Sequence, residues 1–455
     1  MNEQLSFLNT SELQSESATW GASDSEKGEI FTRPEVVSFM LTTAGLPRQV
    51  FTPGTRILEP SCGHGEFVVA IAELLSQEIQ ANCDIPSVDD IKAKVVAYEL
   101  VSENVKETKA KVEQVLTRHY SVLEARSIAD SWLTCGDFLL ADVRGSFSHV
   151  VGNPPYIRVE NIPKPILSEY RNRFSTMTDR ADIYIAFFEK SLRLLQKNGR
   201  FSFICTDRWM KNRYGRALRE LIDSQFNLDL YVDLYGKEPF QTKVMTYPAI
   251  TLISHSQRKG TAVVHDPRID NTLAMRVIEA MESGKSKNKD ITIRKNISDG
   301  NQPWLFGSPD ELSLIQRIET NFHLIEDAGC KVYIGAATGN NKVFIVDEYF
   351  DVEDDRKIPL ITSSDIKEDN LNRSTKCIIN TYDKNGVINL DCYPKLKRYL
   401  ESNKEALMKR HVAKLSPKSW FKTIDRVYPD RANREKLLIP DIKSEFTVIY
   451  DEGVY

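Results

Sequence analysis

The sequence lacks the features that mark secreted, membrane-bound or zinc-containing proteins. Its seven cysteines are scattered over 455 residues and never form a Cys-x-x-Cys pair, which argues against a disulfide framework and a structural zinc site. No apolar run approaches the length that spans a bilayer, and the N-terminus has no basic segment followed by an apolar one. We therefore expect a cytoplasmic protein that contacts no membrane and uses no metal.

A strong net charge is also missing: the formal value is −4, which alone does not predict a nucleic-acid partner. The local distribution is more informative. Residues 392–440 contain thirteen Lys and Arg against five acids, and residues 158–219 contain fourteen against six. Such runs are usually solvated helical faces. Two basic stretches interleaved with aromatic residues also fit a surface that follows phosphates.

The first predicted strand–turn–helix unit has no third glycine of the dinucleotide-binding fingerprint. The strand ends at Glu59, and a turn of sequence Pro-Ser-Cys-Gly-His-Gly at residues 60–65 leads into a helix. Small residues let a ligand approach the backbone closely, but Glu59 and Glu66 would repel a pyrophosphate. The pattern points away from NAD and toward a cofactor that carries positive charge.

Acids also close the next two predicted strands. Glu99 ends a strand at residues 94–100 and could accept both hydroxyls of a ribose, although any polar residue can close a strand. Asp137 and Phe138 end a third strand; Asp137 could accept the amino group of an adenine while Phe138 stacks beside it, and turn chemistry is an equal alternative. Upstream, Thr32 is the expected cap of a helix that begins near Pro34.

Two consecutive prolines stand in the tetrapeptide Asn153-Pro154-Pro155-Tyr156, which follows a short apolar run typical of a buried parallel strand. Ligands bind at the carboxyl ends of such strands. Prolines fix φ, so the Asn153 side chain and the Pro154 carbonyl would be held rigidly. Their oxygens could accept both N–H bonds of a planar exocyclic amine while Tyr156 covers its face. An ordinary strand-to-loop turn is the simpler alternative.

Alternating helices and strands are expected up to about residue 256 and not beyond it. Strands at 228–234 and 249–253 should form a hairpin at the sheet edge, and Phe240 in the loop between them is either a stacking platform for a base or part of the core. We expect a mobile Ser/Glu-rich arm at 1–29, an α/β domain at 30–258 and a mixed α+β domain at 259–455.

These motifs follow one another in a fixed order. The segments are Thr32–Val37, Glu59–Gly65, Tyr98–Leu100, Gly136–Phe138, Asn153–Tyr156 and the Phe240 loop, followed by Tyr333–Val346, Pro359–Lys367 and Tyr393–Leu400. In this order they resemble the γ-class adenine-N6 DNA methyltransferases of the Taq type. Arg33 stands where that family usually has a second proline, and Cys62 flanks Gly63.

The resemblance implies a class I S-adenosylmethionine-dependent methyltransferase fold, Rossmann-like, with a mostly parallel seven-stranded sheet, an antiparallel edge hairpin and a C-terminal target-recognition domain. It implies S-adenosylmethionine as cofactor and double-stranded DNA as substrate, and we expect a monomer. The residues implied to line the cofactor are Thr32, Glu59, Pro60, Ser61, Gly63, Glu99, Leu100, Asp137, Phe138, Asn153 and Pro155. Those implied to hold or stack on a flipped adenine are Asn153, Pro154, Pro155, Tyr156 and Phe240.

Other methyl acceptors share the tetrapeptide with one-residue variation. Cytosine N4 is the nearest alternative, and enzymes acting on it more often have Ser in place of Asn153. Enzymes that methylate guanine N2 in RNA or a glutamine amide generally lack a large C-terminal domain. A non-catalytic DNA-binding subunit is a further alternative. The chain ends inside an expected hairpin at 446–455, so we expect the native protein to continue.

Overall fold

The structure is a computed structural model, and it describes residues 13–15, 17, 20, 30–242, 247–255, 260–265, 267–295, 297, 300–307, 309–367, 370–371, 374–440 and 447–455. The chain forms two compact units, residues 1–317 and 318–455. The boundary expected after residue 258 lies outside the described residues.

The first unit is built on one mixed sheet of nine strands. In chain order the strands are β1 (Ile57–Glu59), β2 (Val95–Glu99), β3 (Leu133–Cys135), β4 (Phe147–Gly152), β5 (Leu195–Thr206), β6 (Asn227–Asp233), β7 (Pro248–Ser254), β8 (Thr261–Val264) and β9 (Ile291–Arg294). Their spatial order is β3-β2-β1-β4-β5-β7-β6-β8-β9. The first five positions pair in parallel, whereas β7 runs antiparallel to both β5 and β6.

This topology agrees with the expected α/β class but extends it. The seven strands β1–β7 correspond to the expected sheet, and β8 and β9 lengthen it beyond β6. As expected, β6 and β7 pair in antiparallel fashion. β7 lies between β5 and β6, and β8 pairs in parallel with β6, so the sheet continues past this hairpin. The alternation of elements breaks near residue 256, but a break in pattern does not stop the next strands from adding to the same sheet.

Helices cover both faces of the sheet because neighbouring strand residues face opposite layers. Ile57 packs in one buried cluster and Leu58 in the other; Val151 and Val150 divide in the same way. The helices of this unit are Pro34–Thr43, Leu46–Gln49, Glu66–Asn82, Val88–Lys92, Ser102–Leu116, Val122–Trp132, Lys164–Arg173, Tyr184–Arg193, Arg208–Lys211, Arg216–Gln225 and Asn271–Ser283, and Pro309–Asn321 crosses into the second unit.

The described part of the N-terminal arm is docked on the first unit. Leu13–Ser15, Ser17 and Trp20 are helical. Leu13 is 6% exposed and Ser17 is fully buried, while Trp20 is partly buried against the same apolar cluster. The remaining positions of the expected mobile arm lie outside the described residues.

The second unit has small sheets and short helices around its own apolar core. Its strands are β10 (Ile345–Asp347), β11 (Lys357–Pro359), β12 (Ile366–Lys367), β13 (Asn370–Leu371), β14 (Lys376–Ile379), β15 (Tyr382–Asp383), β16 (Gly386–Val387), β17 (Lys436–Leu438) and β18 (Ile449–Asp451). Its helices are Asn341–Phe344, Pro394–Ser402, Lys404–Met408, His411–Leu415 and Pro429–Ala432. The segment 343–346, which has a strand-like sequence, instead divides between a helix and β10.

Within the described ranges, no helix combines the length and apolarity that crossing a bilayer requires. No group of three or more His, Cys, Asp and Glu side chains that could hold a metal ion occurs in the same part of the chain.

Candidate active site

The carboxyl ends of the parallel strands enclose a cavity of about 340 Å³. The turns after β1, β2, β3 and β4 all open at this edge, as the strand order requires. Of the residues expected from the sequence, those lining the cavity are Thr32, Glu59, Pro60, Ser61, Gly63, Glu99, Leu100, Asp137, Phe138, Asn153, Pro154 and Pro155. Tyr156 and Phe240 lie next to this set and not in the lining.

Two glycines shape the turn after β1. Gly63 has φ of +53° and Gly65 has φ of +91°, values that side-chain-bearing residues rarely adopt. A Cβ atom on Gly65 would also lie 2.6 Å from Cγ2 of Thr108, so a larger residue cannot fit. The Glu99 carboxylate accepts from the backbone N–H groups of Gly63 at 2.9 Å and Val101 at 2.8 Å. Glu99 therefore ties this turn to the end of β2 while lining the cavity.

A group of carboxylates makes one wall of the cavity negative. Glu59 is 1% exposed, and Oε2 of Glu59 has no hydrogen-bond partner among the described residues. Burial, followed by the nearby charge of Glu66 and then that of Glu99, raises the pKa of Glu59 well above its ordinary value. Burial also raises the pKa of Glu66. A cationic ligand would restore favourable interactions to these acids, so the chemistry of this wall fits a positively charged cofactor.

Cys62 also lines the cavity, but it is not prepared to act as a nucleophile. It is 2% exposed, and burial together with the charges of Glu59 and Glu99 raises the pKa of its thiol well above the ordinary value. A thiol with a raised pKa remains protonated and weakly nucleophilic near neutral pH.

The opposite end of the cavity is built on Asp137, both of whose carboxylate oxygens are already engaged. Oδ1 accepts from the N–H of Leu139 at 2.8 Å and of Leu140 at 3.4 Å. Oδ2 accepts from the hydroxyls of Ser17 at 2.6 Å and Tyr170 at 2.5 Å. The expected role of Asp137 as acceptor for an adenine amino group therefore competes with four donors from the protein.

Phe138 beside it is 2% exposed and stacks on Phe187, with ring centroids 5.6 Å apart and planes at 26°. Lys190 packs its ammonium 4.7 Å from the Phe138 ring centroid and donates to the carbonyl of Ala141 at 2.6 Å. Burial lowers the pKa of Lys190 to about 8. These contacts fix the loop after β3.

Asn153 follows β4 and has the arrangement that matters most for chemistry. Its Nδ2 donates to the carbonyl of Ile30 at 2.7 Å and to Oγ1 of Thr32 at 3.2 Å. The Ile30 carbonyl can only accept, so it fixes which end of the amide is nitrogen. Oδ1 consequently points away from these partners, and it is buried with no partner in the part of the chain that the structure describes.

Thr32 thus serves the site and not the helix. The helix Pro34–Thr43 begins with Arg33 at its N-cap and no side-chain cap, so the expectation that Thr32 caps it was wrong. Its hydroxyl is turned to Asn153 instead. This choice is invisible in the sequence because the partner lies 121 residues away.

The Phe240 loop is joined to the same segment by antiparallel backbone pairing. Thr32 and Phe240 form a bridge, flanked by hydrogen bonds from Arg33 N to the Pro239 carbonyl at 2.9 Å and from Gln241 N to the Phe31 carbonyl at 2.8 Å. Phe240 is 3% exposed and meets Tyr156 edge to face, with centroids 6.4 Å apart. The pairing brings the two expected aromatic residues together, with Phe240 in the core.

Sequence motifs alone did not identify several cavity residues. Trp20, Ile157, Asn161, Tyr170, Ile183 and Phe187 also line it. For Phe187 a signal existed, because it lies among the apolar residues of the amphipathic helix Tyr184–Arg193. Tyr170 and Asn161 lie between motifs, in the basic stretch 158–219, whose composition suggested a surface for phosphates and not a cofactor cavity.

Comparison with known sequences gives a consistent set of relatives. The family profile described as Eco57I restriction-modification methylase matches residues 65–240. The chain is 44% identical over 434 residues to the Type II methyltransferase M.PaeR7I of Pseudomonas aeruginosa, covering 94% of this chain and 75% of that protein. It is 38% identical over 438 residues to the Type II methyltransferase M.XhoI of Xanthomonas vasicola, covering 94% and 80%.

Among solved structures, the chain is similar to the methyltransferase subunit of a type I restriction-modification system from Streptococcus thermophilus. The TM-score is 0.45 at 14% identity, over 61% of this chain and 60% of that chain.

Proposed function

Because the chain belongs to the Eco57I-type restriction-modification methylases, it is a DNA methyltransferase that uses S-adenosylmethionine, and we propose that its acceptor is N6 of an adenine rotated out of the duplex. One observation carries this proposal. Oδ1 of Asn153 is a buried acceptor whose amide is held in place by Ile30 and Thr32, with no donor in the described protein. Leaving such an atom unpaired costs roughly 1–3 kcal/mol, and the N–H of a bound amine removes that cost.

The residues of the cavity fit the cofactor. Glu59, Glu66 and Glu99 provide negative charge for a cation, and the strained glycine turn allows close backbone approach. Leu100, Phe138 and Glu99 all line the cavity. Leu100 and Phe138 are proposed to be apolar walls for the adenosine, and Glu99 is proposed to accept the ribose hydroxyls. S-adenosylmethionine supplies a methyl group made electrophilic by its sulfonium charge.

The chain's own residues prepare the acceptor. The lone pair of adenine N6 is delocalised into the ring, so the free amine is a poor nucleophile. Hydrogen bonds from its two N–H groups to Oδ1 of Asn153 and to the Pro154 carbonyl favour tetrahedral geometry at nitrogen and localise the pair. As the new N–C bond forms, the bond between the methyl carbon and the sulfonium sulfur would break and S-adenosylhomocysteine would be released. The methylated nitrogen is then acidic and loses one proton to solvent. No buried base and no covalent protein intermediate are needed, in keeping with the protonated Cys62 thiol.

Tyr156 is proposed to cover the face of the flipped base and to stabilise the cationic methyl through its ring. Phe240 is proposed to stack from the other side. Its ring is buried and stands at 75° to that of Tyr156, so parallel stacking requires Phe240 to reorient when the base enters. Rotation of a base out of the duplex costs roughly a few kcal/mol, and stacking on Tyr156 and Phe240 offsets this cost.

Exposed side chains near Tyr156, in the segments that follow β4, β5 and β6 and precede β7, suit contact with a phosphate backbone. Arg158 and Arg208 are exposed and lie close enough to Asp182 to lower its pKa, against the larger effect of burial, which raises it to about 6. Tyr235 and Tyr247 stack on each other at 5.2 Å while remaining 58% and 45% exposed, and Arg208 lies 5.4 Å from the Tyr247 centroid. Exposed cationic and aromatic side chains together are typical of nucleic-acid contacts.

Target recognition is proposed to lie in the region from residue 259 onward, principally in the second unit. The basic stretch 392–440 belongs to that unit. Arg431 there lies over the rings of both Tyr333 and Tyr428, at 3.9 and 4.0 Å from their centroids. Such basic and aromatic groups are suited to reading or positioning DNA.

The identity of the methylated base tests the proposal. Genomic DNA from a methylation-deficient bacterial host that expresses the chain is digested to nucleosides and analysed by mass spectrometry, and modified sites are mapped by single-molecule sequencing. We expect N6-methyladenine at one recognition sequence. N4-methylcytosine in place of N6-methyladenine would reject the acceptor assignment, and unmodified DNA from purified enzyme with cofactor would favour a non-catalytic subunit.

A further inference from the structure

The N-terminal segment contacts the cofactor cavity at a place that no sequence motif marks. Leu13, Ser17 and Trp20 are spaced at i, i+4 and i+7, so in a helix they share one face. Leu13 and Ser17 are buried, and Trp20 lines the cavity. These three residues therefore form the side of the segment that packs against the rest of the first unit.

Ser17 is the polar anchor of this contact. It is fully buried, and its hydroxyl donates to Oδ2 of Asp137 at 2.6 Å. The same carboxylate oxygen accepts from Tyr170, which also lines the cavity and is 1% exposed. A hydrogen bond from a buried hydroxyl to an ionisable carboxylate is stronger than a neutral one, so it fixes both groups. Residues 120 positions apart are thus joined at the Asp137 end of the cavity.

Trp20 follows Ser17 by three positions, and both residues are helical. It packs against the apolar cluster that contains Phe138 and Tyr170. We propose that Trp20 is a cofactor-contacting residue that forms an apolar wall at the adenosine end of the S-adenosylmethionine site, and that Ser17 positions it through Asp137. An indole provides a large rigid surface at little entropic cost, which suits contact with a purine.

This inference depends on the proposed function only for the cofactor and is independent of which base is methylated. It also gives Asp137 a purpose that agrees with its four donors: Asp137 organises the wall. The engaged carboxylate need not bond to the cofactor directly.

Tryptophan fluorescence provides a readout that does not require activity. The chain has five tryptophans, and Trp132, Trp209 and Trp304 are fully buried in the core. Trp20 is the tryptophan that lines the cavity in the part of the chain that the structure describes. We expect S-adenosylmethionine and S-adenosylhomocysteine to change the emission of the wild type. Trp20→Phe should remove most of that change while the calorimetric Kd stays within about threefold, because a phenyl ring still fills the wall.

The control is Trp420→Phe, which removes a partly buried tryptophan of the second unit that packs on its apolar core. This variant should keep the full response. If Trp20→Phe also keeps it, Trp20 does not contact the cofactor and the proposal fails.

Affinity separates a wall from a mere structural contact. Trp20→Ala should weaken S-adenosylhomocysteine binding about tenfold, and Ser17→Ala should weaken it several-fold, with circular dichroism spectra like that of the wild type. Tighter binding by Ser17→Ala would mean that Ser17 competes with the cofactor for Asp137, which would overturn the proposed role. The methylated base is identified in the same variants. A change in cofactor affinity with the same methylated base concerns Trp20 and Ser17 only, and leaves the assignment of the acceptor base untouched.

Discussion

The two ends of the cavity differ in how their polar atoms are satisfied. At the Asp137 end each carboxylate oxygen receives two donors from the protein. At the Asn153 end two buried acceptors, Oδ1 of Asn153 and Oε2 of Glu59, have no partner in the described chain. Folding favours paired buried groups, so unpaired ones at a cavity mark the places where a ligand completes the structure. We call the Asp137 end, whose polar atoms are paired, the closed end, and the Asn153 end, with its unpaired acceptors, the open end. The closed end holds the site in place, and methyl transfer is expected at the open end.

The largest effect should follow loss of the open acceptor at Asn153. We expect Asn153→Ala to lower kcat by at least about 10²–10³-fold, because it removes an oriented hydrogen-bond acceptor that is needed as N6 becomes tetrahedral. The calorimetric Kd for S-adenosylhomocysteine should change little. Asn82→Ala, an exposed asparagine at the end of a helix, is the matched control. A variant at position 153 that methylates DNA at nearly the wild-type rate would refute the acceptor role.

The second effect concerns Glu59, the unpaired carboxylate. Because burial raises the pKa of Glu59 well above its ordinary value, the free protein holds this group protonated to a higher pH than the unfolded chain does. A cationic ligand favours the ionised form, so cofactor binding should release a proton and the affinity should rise with pH through the raised pKa. Glu59→Gln should weaken binding on the order of tenfold and remove the part of the pH dependence that Glu59 contributes. Calorimetry in buffers of different ionisation enthalpy measures the proton release.

The same carboxyl group makes an opposite prediction for stability. A raised pKa in the folded state means that this group's contribution to stability is present at low pH and is lost as pH rises past 4.5 through the folded value. The ligand-free Glu59→Gln variant should therefore be more stable than the wild type at pH 8, by on the order of 1 kcal/mol, and the difference should shrink toward pH 5. Glu103→Gln, at an exposed surface ion pair, should show neither effect. A Glu59→Gln variant destabilised at pH 8 would contradict the burial argument.

The closed end should respond in stability and not in chemistry. Tyr170→Phe removes one of the donors to Asp137 and should lower the free energy of unfolding by about 1.5 kcal/mol, since the lost bond reaches a carboxylate. Tyr214→Phe, which loses a hydroxyl–hydroxyl contact with Tyr184, is a milder control. Thermal unfolding and single-turnover rates of enzyme saturated with cofactor measure the two properties. A large loss of the single-turnover rate with unchanged stability would mean that Tyr170 takes part in methyl transfer and is not merely structural.

The sequence predicted features that depend on local pattern and missed features that depend on contacts between distant residues. The strand-end motifs at Glu59, Glu99 and Asn153 were located correctly, because parallel strands bring their carboxyl ends to one edge. Chain neighbours say nothing about which distant groups pair, so the Ser17–Asp137 and Thr32–Asn153 bonds were missed. The extension of the sheet by β8 and β9 was missed for a similar reason: strand pairing across 259–317 depends on tertiary packing and not on local pattern.

The smallest effect is expected at Arg33, which stands where the family that the sequence resembles usually has a second proline. Its backbone N–H donates to the Pro239 carbonyl, and its Nε donates to the Phe240 carbonyl at 2.9 Å, so it fastens the Phe240 loop to the segment that anchors Asn153. Arg33→Ala removes only side-chain interactions, namely the bond to Phe240 and the exposed ion pair with Glu238, and should lower kcat about fivefold through misplacement of Phe240, with the cofactor Kd unchanged. Arg33→Pro removes the backbone donor as well and should be the more impaired of the two. Equal activity of both variants and the wild type would show that the loop is held without this residue, and that the open end of the cavity is organised by Asn153 and its two anchors alone.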